Sequence, residues 1–253
     1  MSALKIIKLA LLSIGAVFAS RKRSKILYYH DICSIRFYES PDTDVIMGTP
    51  IELFKKHIEI IKKRGYKIIQ EISNDNLEVA IMFDDGYRGI WDNRDYFYEN
   101  NICPTVFLAV DLIGKPNFLN IEEILELQNH GFKFECHSWS HKSLARLTPE
   151  ILKKELGDSK DYLSKILNKD VTEICLPLGY YSDSLLQEIK KYDYKKVYSS
   201  IPGSIKVKIA GVMETRNLCQ FASPLELKLI LDGGGEILKK RYIKQHCHNN
   251  IVK

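Results

Sequence analysis

The chain has 253 residues, of which 45% are hydrophobic and 27% charged, and its formal net charge is +5. That is apolar material for one larger α/β domain or two small ones, and it excludes a disordered or low-complexity chain. The positive excess gathers in Arg21-Lys22-Arg23-Ser24-Lys25 and Lys239-Lys240-Arg241 without aromatic–basic interleaving, so no nucleic acid is expected as partner, while an anionic surface is allowed.

Residues 1–24 are an apolar segment with a basic flank. The run from Leu9 to Ala19 follows Lys5 and Lys8 and is too short for an ordinary transmembrane helix. Three readings stay open. It is a signal peptide cleaved near Val17-Phe18-Ala19, an uncleaved helix that contacts a membrane surface through residues 1–25, or a helix packed on the domain. The first two favour the cell envelope, and the third leaves the cytoplasm open.

A first strand is predicted over 25–30, and a loop over 40–49 with Pro41 and Gly48 as breakers. A helix follows from Pro50, with Ile51, Phe54, Ile58 and Ile61 on one face, and Gly65 ends it before a strand over 66–69. Residues 79–83 are apolar without alternation, as in a strand covered on both faces. They run into Asp84-Asp85-Gly86-Tyr87. A helix over 90–100, a strand over 103–110 and a helix over Ile121–Asn129 closed by Gly131 come next. A strand over 132–136 then leads into His137-Ser138-Trp139-Ser140-His141.

Thr148 reads as an N-cap with Pro149 at the first position of a long helix that carries Ile151, Leu152, Leu156, Leu163, Ile166 and Leu167. A strand over 173–177, a helix to Tyr192 capped by Ser182 or Asp183, and strands over 196–199 and 207–212 follow. Residues 224–245 are predicted helical, interrupted by Gly233-Gly234-Gly235. Strand and helix alternate with short links, which argues for about seven parallel βα units closing as a distorted (β/α) barrel. Residues 25–220 form that domain, and 221–253 a helical extension with a polar tail. The six cysteines, at 33, 103, 136, 175, 219 and 247, make no CxxC pair and read as free thiols.

Two acids at the carboxyl end of a buried strand sit where a parallel sheet delivers side chains to a site. Two histidines four apart reach one ion if their turn is helical. One carboxylate and two imidazoles make a metal site with positions left for water, the arrangement of a catalytic metal. Such donors suit zinc, and also cobalt, nickel or iron.

Phe83-Asp84-Asp85-Gly86 resembles the first motif of the polysaccharide deacetylases, the NodB-homology group of carbohydrate esterase family 4. His137-Ser138-Trp139-Ser140-His141 resembles their second, and Pro177-Leu178-Gly179 falls where a third belongs. Tyr28-Tyr29-His30-Asp31 is similar to the end of their first strand. The resemblance spans about residues 25–218. It implies an irregular, incomplete (β/α) TIM-like barrel of about seven strands. It also implies a metal-dependent hydrolase that removes acetyl groups from an N-acetylated or O-acetylated sugar of a cell-envelope or capsular polysaccharide. Carried over motif by motif, Asp84 is the general base, and Asp85, His137 and His141 hold the metal. Leu178 offers a backbone N–H to the oxyanion, and Tyr87, Trp139 and Tyr180 contact the acetylated carbohydrate. Trp139 reads equally as core, and His30 equally as a satisfied core histidine or as a group behind the site.

The chain departs from the family twice. Where many relatives carry an arginine that orients the catalytic Asp, this chain has Cys175, and Arg216 at a late strand end is the expected substitute. The Leu-x-His of the family's last motif has no counterpart after Gly203. His246 and His248 are the only late histidines, in a tail read as a solvated end. Two other readings follow: a sugar-binding protein that kept the metal site, and an amidohydrolase for a small non-sugar amide. Ser138 and Ser140 lack a nucleophile-elbow context and read as loop polarity. Neighbouring Asp84 and Asp85 cannot flank a glycosidic bond, which excludes a glycosidase.

Overall fold

Nine short parallel strands make one sheet that curls on itself. The computed structural model describes residues 3–19, 23–33, 39–40, 43–46, 48–73, 77–205 and 208–248. The strands are β1 (Lys25–Tyr29), β2 (Lys67–Ile68), β3 (Glu78–Phe83), β4 (Thr105–Leu108), β5 (Lys133–Cys136), β6 (Glu173–Cys175), β7 (Lys196–Tyr198), β8 (Met213–Glu214) and β9 (Asn217–Leu218). Their order is β8-β7-β6-β5-β4-β3-β1-β9, with β2 added to β3. The two end strands are consecutive in the chain, so Thr215 and Arg216 bring the edges of the sheet together. This is the irregular, incomplete barrel expected, with nine strands in the sheet rather than about seven.

Alternation along each strand divides the core. Ile26, Tyr28, Ala80, Met82, Phe107 and Cys175 face the concave side and pack together. Leu27, Tyr29, Ile81, Phe83, Val106 and Phe134 face the helices and belong to the larger cluster. The covering helices include α1 (Ala3–Phe18), α2 (Ile51–Lys63), α3 (Ile121–Asn129), α4 (Ser159–Leu167), α5 (Asp183–Ile189), α6 (Pro224–Leu231) and α7 (Lys239–His246). α2 buries Phe54, Ile58 and Ile61, the apolar stripe of its sequence.

α1 packs on the domain. Leu12 is buried, and Gly15 crosses Gly234 so closely that a Cβ at Gly15 would stand 2.6 Å from the Gly234 carbonyl oxygen. Among the described residues, no helix is long and apolar enough to cross a membrane.

Several elements differ from the sequence expectation. The loop expected over 40–49 contains a short antiparallel pair, Glu39–Ser40 with Thr43–Ile46, and a strand at Gly48–Pro50; residues 41, 42 and 47 lie outside the described residues. The helix expected over 90–100 is two, Gly89–Asp92 and Arg94–Glu99. The strand expected over 207–212 is displaced: Ile209 bridges back to Met213 through a turn, and the sheet takes β8 and β9 instead (residue 207 is outside the described residues). The long helix after Thr148 starts as Pro149–Leu152, loosens into a π-helical turn at Lys153–Asp158 and only then becomes α4. Thr148 makes no side-chain cap there, whereas Ser182 caps α5 through the Leu185 N–H. The six cysteines are free thiols.

Candidate active site

β3 delivers the acids. Asp84 continues its ladder, its N–H donating to the Tyr29 carbonyl at 3.0 Å. Asp84 lies in the row of Ala80 and Met82, so its carboxylate enters the barrel mouth. The next residue would ordinarily point the opposite way. Asp85 instead adopts a left-handed backbone with φ 71°, which turns a second carboxylate toward the same mouth. Gly86, also at positive φ, lies against Leu108, and a Cβ there would stand 2.7 Å from the Leu108 side chain.

The histidines leave the end of β5. Between His137 and His141 the chain is not a helical turn, the one geometry the sequence pattern considered. It is a loop in which Ser138 and His141 take left-handed φ values of 68° and 57°. Those two reversals bring both Nε2 atoms onto Asp85 Oδ1, at 3.3 Å from His137 and 2.9 Å from His141. Val110 and Asp111 donate backbone N–H groups to Ser138 and Trp139, lacing the loop to the chain beyond β4. Glu155 fastens the other side. It is buried, and Oε2 accepts from the N–H groups of Trp139 (3.0 Å) and Ser140 (2.9 Å), while Oε1 accepts the Ser140 hydroxyl (2.6 Å). Glu155 comes from the π-helical turn. Its place on the stripe of Leu152, Leu156 and Ser159 was the signal in the sequence, a carboxylate where an apolar residue belongs.

These donors fit a divalent cation. Asp85 Oδ1 is buried and receives no well-aligned hydrogen bond. His137 Nδ1 lies 2.8 Å from the Cys175 carbonyl, which can only accept, so Nδ1 carries the proton and Nε2 presents a lone pair. The ligand atoms of Asp85, His137 and His141 lie within 4.8 Å of one another. A buried oxygen facing imidazole lone pairs calls for a cation between them. Burial pushes the Asp85 carboxyl up, but contact with His137 and His141 holds it well below the usual carboxylate range.

Asp84 has a different partner. Arg216, fully buried at the seam between β8 and β9, forks onto it with Nη1–Oδ1 at 2.7 Å and Nη2–Oδ2 at 2.8 Å. The guanidinium also donates to the Ser199 carbonyl (3.0 Å) and the Cys175 sulfur (2.7 Å), and lies 4.2 Å from the Tyr28 ring. Burial raises the Asp84 carboxyl; Arg216 reverses this, with His137 and His30 adding to the pull, and the net displacement is downward. Burial keeps the Cys175 thiol well above its ordinary value.

Pro177–Gly179 forms a 3-10 turn at the mouth, with Leu178 left-handed (φ 58°) and 54% exposed. Tyr180 is half-buried beside it. The tail is not the solvated end expected. His248 donates its backbone N–H to the Tyr181 carbonyl at 2.8 Å, Tyr181 donates its own to the His246 carbonyl at 3.0 Å, and the Tyr180 ring sits 5.4 Å from His246 and 4.6 Å from His248. Trp139 is half-buried against Tyr162, with Lys154 over its ring at 4.8 Å. Tyr87 is corrected: it is buried, stacked 4.5 Å from Phe118, and belongs to the core rather than to a substrate surface.

The comparisons agree with this fold. The family model described as polysaccharide deacetylase matches residues 72–197. YxkH of Bacillus subtilis (strain 168), itself a candidate polysaccharide deacetylase, is 26% identical over 181 residues, 67% of this chain and 65% of the relative, just short of two thirds of its length. Among solved structures, the Streptococcus pyogenes deacetylase PplD, in complex with acetate, has a TM-score of 0.70 at 22% identity, covering 84% of this chain and 99% of that one. A polysaccharide deacetylase from Bacillus cereus has a TM-score of 0.70 at 21% identity, covering 83% and 69%. At these identities the structural likeness speaks for the fold, and the family match for the motifs on it. The chain belongs to the polysaccharide deacetylase family.

Proposed function

We propose that this protein removes acetyl groups from an N-acetylated sugar of a cell-envelope or capsular polysaccharide, with a divalent ion held by Asp85, His137 and His141. One observation carries the reading. A buried Asp85 oxygen without a hydrogen bond lies between two imidazole nitrogens, one residue from a carboxylate that a buried arginine holds charged. The acetate in the Streptococcus pyogenes relative is the product such a reaction releases. Zinc suits the donor set, and so do cobalt, nickel and iron.

When bound, the ion would lower the pKa of a water and polarise the acetyl carbonyl. The chain's own groups do the rest. Asp84 takes the proton of the attacking water. Arg216 fixes both Asp84 oxygens and so the direction in which the base points. Leu178 offers its backbone N–H to the oxyanion, a role that needs no side chain. Trp139 and Tyr180 edge the mouth where the sugar enters.

Acetate release from N-acetylglucosamine oligomers by the full-length, metal-loaded protein tests this. Release that disappears in Asp84→Asn and His137→Ala is expected. One tightly bound metal per chain without release from any acetylated sugar would leave a sugar-binding protein on the same scaffold. No bound metal would remove the site assignment itself.

For residues 1–25 the proposal is contact with an anionic membrane surface, which fits a cell-envelope substrate. Ile6, Ile7, Ile14, Val17 and Phe18 of α1 are exposed, an apolar row accompanied by Lys5 and Lys8. Flotation with phosphatidylglycerol vesicles, and none with phosphatidylcholine, is expected; no flotation with either rejects the contact.

A further inference from the structure

Beside the mouth the protein carries an apolar groove that no step described above uses. Leu12 of α1, Leu218 of β9, Ile230 of α6 and Tyr242 of α7 line it, together with Phe221 and Leu238. Ser200, also in its wall, ties it to the site. The Ser200 side chain hydrogen-bonds the Tyr28 phenol inside the barrel. On its other side, a Cβ at Gly179, next to Leu178, would stand 2.6 Å from the Ser200 Cβ. Phe221 follows Gln220, whose side chain hydrogen-bonds His30 at the end of β1. The groove therefore adjoins the mouth along the seam of the barrel.

Size and lining restrict what it can hold. The cavity measures about 60 Å³. A water needs roughly 10–15 Å³ by that measure, so the groove has room for a few methylene-sized groups and none for a second sugar ring. Each methylene moved from water onto such an apolar wall tightens binding about fourfold. Leu218 and Phe221 are exposed at the rim, and contiguous exposed apolar side chains mark an interaction surface. Lys8 borders the groove as well, held 3.4 Å from Glu226. It belongs to the helix that turns Ile6, Ile7 and Ile14 outward, so the groove runs on into the apolar row of α1.

We propose that the groove takes the apolar chain of the substrate itself, and that the substrate is an acetylated sugar carried on a lipid chain. The inference rests on the deacetylase reading above and narrows its substrate class. A molecule whose acetylated sugar sits in the mouth has this groove as its neighbour on the Ser200 side. No bond forms or breaks there. Chain burial holds the sugar at the mouth, so the gain falls on kcat/KM. A chain that leaves the groove along α1 enters the membrane surface that the Ile6, Ile7 and Ile14 row is proposed to touch.

The test compares octyl and methyl N-acetyl-β-D-glucosaminide on the full-length, metal-loaded protein, below the concentration at which the octyl compound forms micelles. The octyl glycoside is expected to lead by about 10-fold or more in kcat/KM, the gain of roughly two buried methylenes. Phe221→Ser, at the exposed rim, should bring that ratio below about 3-fold with the melting temperature unchanged. Phe18→Ser, on the outer row of α1, should keep the ratio. A ratio near one in the parent, with both glycosides deacetylated, overturns the groove and leaves the deacetylase reading standing. So does a ratio that survives Phe221→Ser, or one that collapses in Phe18→Ser instead. Titration calorimetry with octyl β-D-glucoside, which has the chain and no acetyl group, separates two sources of the chain. Binding that Phe221→Ser weakens is expected, and no binding rejects the groove. Such binding beside a ratio near one would assign the groove to a membrane lipid and overturn the substrate chain. Release from neither glycoside would overturn the deacetylase reading, and this inference with it.

Discussion

The barrel holds buried charge at both of its ends and treats it in opposite ways. At the amino ends of the strands, Lys133, Lys169 and Lys196 face Glu71, Glu135 and Glu173. Glu173 takes Lys133 at 2.8 Å and Lys196 at 2.9 Å on one oxygen and the Tyr198 hydroxyl at 3.0 Å on the other. Glu135 accepts the N–H groups of Thr172 and Glu173 on Oε2, both at 2.9 Å. Each of these carboxylate oxygens has a partner. At the carboxyl ends, Asp84 is matched by Arg216, but Asp85 Oδ1 is left facing nitrogen. Matched buried charge is a plug that shapes the barrel. Unmatched buried charge costs free energy unless something binds there.

The largest expected effect comes from removing the unmatched oxygen. Asp85→Asn should weaken metal affinity by more than the roughly 10- to 100-fold that supporting residues cost. It should lower the melting temperature of the metal-free protein only modestly, through loss of the contacts with His137 and His141 that hold the carboxylate charged. Titration calorimetry and thermal melts in chelator read the two quantities. A lower metal-free stability with unchanged metal binding would break the comparison, since Asp85 would then belong with the plug.

Arg216→Met tests the matched pair at the same end. It leaves the Asp84 carboxylate buried without its partner, an expected cost of about 3–5 kcal/mol at neutral pH. The sign with pH follows from the pair. In the parent, Asp84 is displaced downward, so its contribution is present above the ordinary carboxylate value of about 4 and is lost as pH falls through the folded value. Without Arg216, burial alone raises Asp84, and the variant loses stability as pH rises through that raised value. The two urea-unfolding curves should therefore converge toward low pH. A gap constant from acid to neutral pH would mean that Arg216 acts through packing on Tyr28 alone.

Glu155 supports the histidine loop without touching the metal. Glu155→Ala should lower metal affinity by about 10- to 100-fold, and Glu155→Gln, which keeps one acceptor oxygen, by less. Unchanged affinity in both would reduce Glu155 to a structural clasp.

How far the sequence disclosed all this depends on how local each feature is. Asp84-Asp85-Gly86 and the His137–His141 loop are contiguous, and the buried run before the acids marks a strand end, so motif and position are read together. The Asp84–Arg216 contact was within reach because Arg216 sits at a late strand end, although β8 and β9 are too short to show a strand period. Other features were hidden. Asp85 reaches the site through a left-handed φ, which local pattern does not reveal. Glu155 reaches the loop from a π-helical turn; a carboxylate on the apolar stripe signals burial, but not the distant loop that it holds. The polar tail read as solvated because its partner, Tyr181, is distant in sequence. Tyr87 was misplaced by adjacency to the motif, since the turn after Gly86 carries it against Phe118.

The smallest effect on function is expected at the plug, and it is the sharpest control. Glu173→Gln preserves shape and the capacity to accept a hydrogen bond, but leaves Lys133 and Lys196 without the carboxylate between them. Both lysines keep Glu71, and Lys196 is partly exposed, so solvent and the remaining acid screen the excess charge. The expected cost is about 1–3 kcal/mol in urea unfolding, less than for Arg216→Met, whose partner is sealed from water. Metal affinity and amide turnover should match the parent, because the plug and the mouth share strands but no hydrogen bond. A change in metal affinity there would mean that β5 and β6 transmit the loss to His137 and the Cys175 carbonyl, and the two ends of the barrel would then be one coupled unit rather than a scaffold and a site.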